Sequence, residues 1–495
     1  MARADDALAR VRARGELRWG ADAQGGAPYV FQDPEDPNHL IGFEVDLADA
    51  IAARLGVRAF PVQGPWDHLL ELVNRGDFDI ALNGIEVADE KRRIVDLTRP
   101  YYVAPERLTI RAGDRAAPRD LPSLRGRPVG TLPGSLAERI LARAGADVRA
   151  YEGGQDDIYK DLSLGRTDAV LLDAPVTLYY GSIDPALETI QGDWGQVQYA
   201  IALPLNQSPL RQALDAALDE LARDGTLRRI YRKWGLWNPE TARLLGDPDT
   251  ANASVAESFE SWRAAVGRIP PLWQRIRDRY PRLLPLFFHG ALRTLAVSIV
   301  SMLLAMIAGA ALALARTSSV SVLRAIATIY IEFVRGTPLL VQLTMIYFGL
   351  PELGIQLDPF VSGCVALGLN YAAAEAENYR AGLESVPAGQ REAASALGLS
   401  RWQTLVHVVA PQAARVALPP VTNDFIALLK DSSLVALVTI AELNETYRKL
   451  ASSTRDHLGL GLMVSLWYLA IGLPFARLAR WAEARMGRHL RRARP

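Results

Sequence analysis

The stretch EAASALGLSRWQTLVHVVAPQAARVALPP, residues 392–420, lies between apolar runs of membrane grade, yet it carries Glu392, Arg401, Gln403, His407, Gln412 and Arg415. Residues 391–399 have helical composition, and Ala393, Ala394, Ala396 and Leu397 can form a packing face. Gly398 permits a sharp exit, and Ser400 can cap a second helix over RWQTLVHVV. The pattern predicts a short helix, a turn and another helix at the edge of a bilayer. What flanks it decides the fold.

The chain has 495 residues, too many for one core, and two or three domains are expected. Its net charge is +0, which gives no basic surplus to suggest a nucleic-acid partner. Residues 1 to about 280 mix apolar and charged residues in a soluble manner, whereas long stretches after 283 lack charge. Residues 294–315 are 22 in a row without a charge, enough to cross about 30 Å of hydrocarbon. Residues 458–476 form a second clear span. Three interrupted ones lie at about 322–350, within FVSGCVALGLNYAAA, and within LPPVTNDFIALLKDSSLVALVTI. These hold Glu332, Arg335, Asp424, Lys430 and Asp431, which are costly in lipid and should face protein or a wet pathway. The lone cysteine, Cys364, excludes an intrachain disulfide and reads as a small buried hydrophobe.

About five crossings place the ends of this region on opposite sides. The arginine-rich tail from 477 and the basic link at Arg316 and Arg324 orient the C-terminus to the cytoplasm. Arg275, Arg277, Arg279, Arg282, Arg448, Lys449 and Arg455 count against this and are outweighed. Residues 392–420 then face the cytoplasm, and everything before 283 lies outside.

Glu392-Ala393-Ala394, Gly398, Val408 and Pro411 resemble the EAA loop of bacterial ABC importer permeases, with Ala410 departing from that family's leucine. Phrases such as IEFVRGTPLLVQLTMIYFGL, NYRAGLESVPAGQREAASALGLSRWQT and NDFIALLKDSSLVALVTIAEL are similar to its polar amino-acid branch, over about 285–485. The resemblance implies that Glu392, Ala393, Ala394, Gly398 and Arg401, within a loop at about 389–411, couple to a cytoplasmic ATPase dimer. Gly336-Thr337-Pro338 should break the second span, and Pro419-Pro420 should do the same at the entry to the fourth. Glu332, Arg335, Glu377 and Lys430 are candidates for a membrane pathway, weighed evenly against interhelical pairing.

The first half alternates short β-like runs (ELRWGAD, FDIALNG, DAVLLDA) with helical patterns (FEVDLADAIAARLG, WDHLLELVNRG), which predicts α/β with mixed or parallel sheets. No GxGxxG turn and no catalytic constellation occurs there. GFEVDLADAIAARLGV, VGTLPGSLAE and GRTDAVLLDAPVTLYY resemble the periplasmic amino-acid-binding proteins, from about 15 to 237. That implies an α/β two-lobed periplasmic-binding-protein fold. Lobe one would be about 15–107 plus 200–237 and lobe two about 108–199, with hinge strands near 106–110 and 199–203.

An amino acid offers a carboxylate and an ammonium group, so a cation and a buried carboxylate should clamp it. By resemblance, Asp173 meets the ammonium. Lys91 stands where the family has its arginine, with Arg92 beside it, and lysine lacks the bidentate fork. Ser135 would supply a hydroxyl or amide. Asn83, Gly84 and Glu86 occupy strand-end positions, and Glu86 near Asp173 favours a cationic ligand. Tyr29 or Trp66 would form an aromatic wall, unless they are simply core.

Residues 238–282 read as a solvated linker ending in a short amphipathic helix, LWQRIRDRY. No GxxxxGK[ST] occurs, and no lysine follows a glycine. The chain is therefore expected to carry no cofactor or metal and to leave Mg-ATP hydrolysis to a partner. A second permease copy, most simply in a homodimer, is implied by one coupling loop per chain. The expected protein is an amino-acid ABC importer subunit of the bacterial inner membrane, multi-pass, with its N-terminal domain extracytoplasmic. A ligand-gated channel and a sensor are the alternatives. The first 20 residues show no apolar run of a secretory signal, which leaves the export route open.

Overall fold

The computed structural model describes residues 7–151, 154–190, 192–253, 256–267 and 270–491, with side chains to 481. The extreme N-terminus and the last four residues of the basic tail lie outside the described residues. The chain divides into two units, Met1–Tyr280 with Arg448–Leu458, and Pro281–Tyr447 with Gly459–Pro495.

In the first unit, the strand Glu16–Ala21 pairs in parallel with Arg58–Gln63 and Ile80–Ala81. The helix Phe43–Leu55 crosses between, burying Phe43, Leu47, Ala48 and Ile51 at helical spacing. Ala202–Leu203 and Asp96–Leu97 complete this five-stranded sheet in antiparallel fashion. A six-stranded sheet builds the second lobe around Tyr102–Arg111. This strand pairs Gln196–Tyr199 through its first half, and Ala169–Asp173 and Leu187–Ile190 through its second. One continuous strand thus serves both lobes. The crossing begins four residues earlier than the expected 106, because Tyr102 and Val103 are already paired to Tyr199 and Gln198. Leu108, Ile110, Leu141, Leu171 and Trp194 form a separate core for the second lobe.

The expectation of a solvated linker after 237 is overturned. Asn238 caps the helix Pro239–Leu245 through Thr241 N–H at 2.7 Å, and Phe259, Trp262 and Val266 bury one face of Glu257–Val266. Trp262 packs on Tyr179 with ring centroids 4.9 Å apart. These apolar residues keep an i, i+3, i+7 spacing, but the polar residues around them mask that face in the sequence. Residues Arg448–Leu458 also belong to this unit: Ser452 Oγ donates to Gln24 O at 2.7 Å, and Arg455 pairs with Asp156 at 2.6 Å.

The second unit is helical. The LWQRIRDRY segment of the first unit is helical, as the sequence predicts, and the first long apolar helix of the second unit runs to Arg316. That helix and His457–Trp481 are long and apolar enough to cross a membrane, and Ser321–Gly336 with Leu339–Leu353 forms a pair bent by 109° that makes a third. The bend falls at Thr337, whose extended backbone precedes Pro338, as its sequence predicts. Pro359–Glu384 and Ala410–Asp431 are long helices with internal charge. Contrary to expectation, Pro419 and Pro420 lie inside the latter without interrupting it. Each removes one helical N–H, and the flanking turns carry the helix through.

Candidate functional site

The ends of the strands in both lobes bring distant residues together. Tyr29 donates its hydroxyl to Asp173 Oδ2 at 2.9 Å, and Tyr199 donates to the same oxygen. The two phenol oxygens lie 2.9 Å apart. Asp173 Oδ1 accepts the Val176 N–H at 3.1 Å as the cap of a short helix. Burial pushes the Asp173 carboxyl up, against the hydrogen bonds from Tyr199, Val176 and Tyr29.

On the lobe-one side, Gly84 adopts φ +59, where a Cβ would meet the Tyr29 ring at 3.0 Å. Its N–H donates to Glu44 Oε1 at 2.7 Å, and Tyr101 donates to that oxygen too. Glu44 is fully buried, and burial raises its pKa to about 7. Asn83 accepts the Asp22 N–H at 2.6 Å and offers its carbonyl to the Trp66 indole at 2.9 Å. Trp66 in turn carries the Lys91 ammonium 5.6 Å above its ring, a cation–π contact.

Glu86 bridges the lobes. It accepts the Leu136 N–H at 3.1 Å and an Arg139 guanidinium N–H at 3.2 Å. Burial raises the Glu86 carboxyl, and Lys91 pulls it back. Lys91 is lowered by burial and held up by Glu86. Glu86, expected as an extra carboxylate near Asp173, thus has its charge met by Arg139 of the same chain. Ser135 spends its hydroxyl on its own helix, accepting from Glu138 N–H at 3.1 Å and donating to Leu132 O at 2.7 Å. Of the hydroxyl or amide expected of it, the hydroxyl is engaged within the chain. Arg92 is exposed and is not drawn into the cluster. Tyr29 and Trp66, the aromatic candidates, both line it.

Glu44, Tyr101, Glu106, Arg139 and Tyr199 were not singled out from sequence. Tyr199 and Glu106 lie on the strands read as hinges, but only strand register tells which way their side chains face.

In the second unit, the helix Ala388–Ala396 ends at Gly398, φ +79, where Leu399 N–H reaches back to Ala394 O at 3.1 Å. Ser400 and Gln403 form a capping box that starts the next helix at Arg401. Ala394 is buried as the inner face, while Leu397 and Trp402 are 81% and 67% exposed. Glu392, Ala393 and Arg401 are exposed on the same element. Large apolar groups exposed together on one element mark a candidate contact surface.

The pathway candidates do not converge. Glu377 pairs with Arg316 of another helix, the interhelical pairing kept open as its alternative, and with Arg380 of its own helix at 2.7 Å. Glu332, Arg335 and Lys430 are exposed on the single chain rather than turned inward. Tyr371 donates to Asp431 at 2.8 Å and Asn378 to Asp424 at 2.7 Å, so a polar seam joins two helices instead.

Residues 17–236 match the family of bacterial extracellular solute-binding proteins, family 3. Residues 301–488 match the binding-protein-dependent transport system inner membrane component. The probable amino-acid ABC transporter permease protein YckA of Bacillus subtilis is 40% identical over 187 residues, covering 38% of this chain and 83% of that protein. The glutamine transport system permease protein GlnP of Escherichia coli is 36% identical over 205 residues, 41% of this chain and 94% of that one. Among solved structures, an ancestral arginine-binding protein bound to arginine is 31% identical, with 45% of this chain and 98% of that one covered, at a TM-score of 0.41. The protein is a solute-binding domain joined to a permease domain in one chain. It belongs to the amino-acid ABC transporter permeases.

Proposed function

We propose that this chain is an amino-acid importer subunit that captures a polar amino acid in its N-terminal domain and passes it through its own membrane domain. The observation that carries the reading is Asp173, half-buried and bonded by Tyr29 and Tyr199 where the two lobes meet, in the same chain as an exposed coupling helix. Asp173 takes the ammonium of the ligand. Lys91, held over Trp66, takes the carboxylate as a point charge without a bidentate fork. The exposed Leu397 and Trp402 present the coupling element to a cytoplasmic ABC ATPase, which spends Mg-ATP.

Two permease copies assemble around a two-fold axis. The exposed charges Glu332, Arg335 and Lys430 then face the second copy or a water-filled path between them, since lipid disfavours them. The N-terminal domain lies outside the bacterial inner membrane. Tethered there, it works at high local concentration, so weak docking suffices. The channel reading is less favoured because the clamp is complete before the first apolar helix begins.

The test is ATP hydrolysis by a candidate ATPase reconstituted with the full chain in vesicles. Stimulation by an amino acid, lost on Asp173→Asn, is expected. Uptake that persists without any ATPase would decide for a channel. An impermeant thiol reagent should label a cysteine introduced at an exposed lobe residue in intact cells; protection would reverse the orientation.

A further inference from the structure

Glu106 is 1% exposed, and its Oε2 has no hydrogen-bond partner. It sits on the long shared strand directly opposite Asp173 on the neighbouring strand. Residues paired across antiparallel strands project to the same face, with Cβ atoms about 5 Å apart. Glu106 is therefore aimed at the same junction that Asp173 lines, beside the ligand cluster.

The charges around it show what is missing. Glu86 is met by Arg139 at 3.2 Å and by the field of Lys91. Arg107, next along the strand, points to the other face and gives its N–H to the Glu106 carbonyl, not the carboxylate. Glu44 takes the Gly84 N–H and the Tyr101 hydroxyl on Oε1, leaves Oε2 unbonded among the described residues, and lies on lobe one away from the strand that pairs with Asp173. Among the described residues, Asp173 and Glu106 are adjacent carboxylates with no cation of the chain bonded to either. Two such groups cannot both ionise cheaply, and without a ligand the pair keeps a proton. Burial and the Asp173 charge together push the Glu106 carboxyl well up.

The geometry points to Glu106 as a second ligand-binding carboxylate that selects an amino acid with a cationic side chain. The inference rests on the importer reading above and names its substrate class. The charge count then closes. Lys91 meets the ligand carboxylate, Asp173 its ammonium, and Glu106 the side-chain cation. Glu106 gives up its proton to solvent as that cation enters.

The full chain in lipid nanodiscs should be titrated calorimetrically with L-arginine, L-lysine and L-glutamine. Arginine or lysine should bind more tightly than glutamine. Glu106→Gln should lower the affinity for the cationic ligands by tenfold or more while changing that for glutamine by less than threefold. Repeating the wild-type titration in two buffers of different ionisation enthalpy should reveal proton release with arginine and none with glutamine. That measurement needs no variant, and it decides the matter even if Glu106→Gln misfolds. Proton release that survives in Glu106→Gln, equal losses for all ligands, or a preference for glutamine would overturn the inference and leave the importer intact. No binding of any amino acid to the wild type would instead defeat the importer reading, and this inference with it.

Discussion

Tyr29 and Asp173 stand 144 positions apart in the chain, and their side chains meet at 2.9 Å. The contact joins a loop of one lobe to a strand end of the other. Any group that replaces a phenol at Asp173 must enter where the lobes touch, so on the proposed reading ligand capture and lobe closure are coupled through one carboxylate.

Asp173→Asn should therefore weaken amino-acid binding by about 3 kcal/mol, roughly a hundredfold, as expected when one partner of a buried charge pair is neutralised. Tyr29→Phe removes one of two phenol donors and should cost about 1–2 kcal/mol. Arg92→Ala should leave affinity unchanged, since Arg92 is exposed outside the cluster. Calorimetry on the full chain measures all three.

Glu44 supplies a pH dependence with a definite sign. Its carboxyl moves from 4.5 to about 7 on folding, because burial outweighs the bonds from Tyr101 and Gly84. Between those values the folded state holds a proton that the unfolded state has lost. The stability contribution is full below pH 4.5 and declines as pH rises through 7, by about 3 kcal/mol in all. Thermal unfolding followed by tryptophan fluorescence from pH 5 to 8 should show the decline. Glu44→Gln should flatten it; an unchanged slope would remove Glu44 as its source.

Trp262 tests whether the segment after 237 is part of the first unit. It is 4% exposed and packs on Tyr179 and Tyr180. Trp262→Ala should destabilise that unit by about 3–5 kcal/mol, the usual range for a buried aromatic. A loss under 1 kcal/mol, read as the shift in the unfolding midpoint, would show the packing to be dispensable.

At the coupling element, Leu397→Asp and Trp402→Ala should abolish amino-acid stimulation of ATP hydrolysis while leaving ligand affinity as it was. Both side chains are exposed, so their replacement removes no internal packing. A variant pair that still stimulates hydrolysis would place the ATPase contact elsewhere.

Gly309 lets two helices of the second unit approach closely. A Cβ there would lie 2.6 Å from Glu375 Cβ and 3.1 Å from Ala372 O. Gly309→Ala should cost about 1–3 kcal/mol by overpacking. The yield of folded protein in detergent, followed against temperature, reports it.

Much of this molecule could be read from local pattern. The uncharged run at 294–315, the Gly398 turn with its Ser400 cap, and the break at Thr337-Pro338 each depend on residues close in the chain. So did the alternation of strands and helices in the first half, because hydrophobic periodicity reports which face of an element is buried. Only the tertiary structure decided which charges find partners. Glu86 is satisfied by Arg139, 53 positions away, and Glu377 by Arg316, while Glu106 faces Asp173 through strand register alone. The physical reason is that a carboxylate's ionisation is set by what surrounds it in space. Charge pairing and desolvation act over a few ångströms, and sequence separation carries almost no information about which groups come that close.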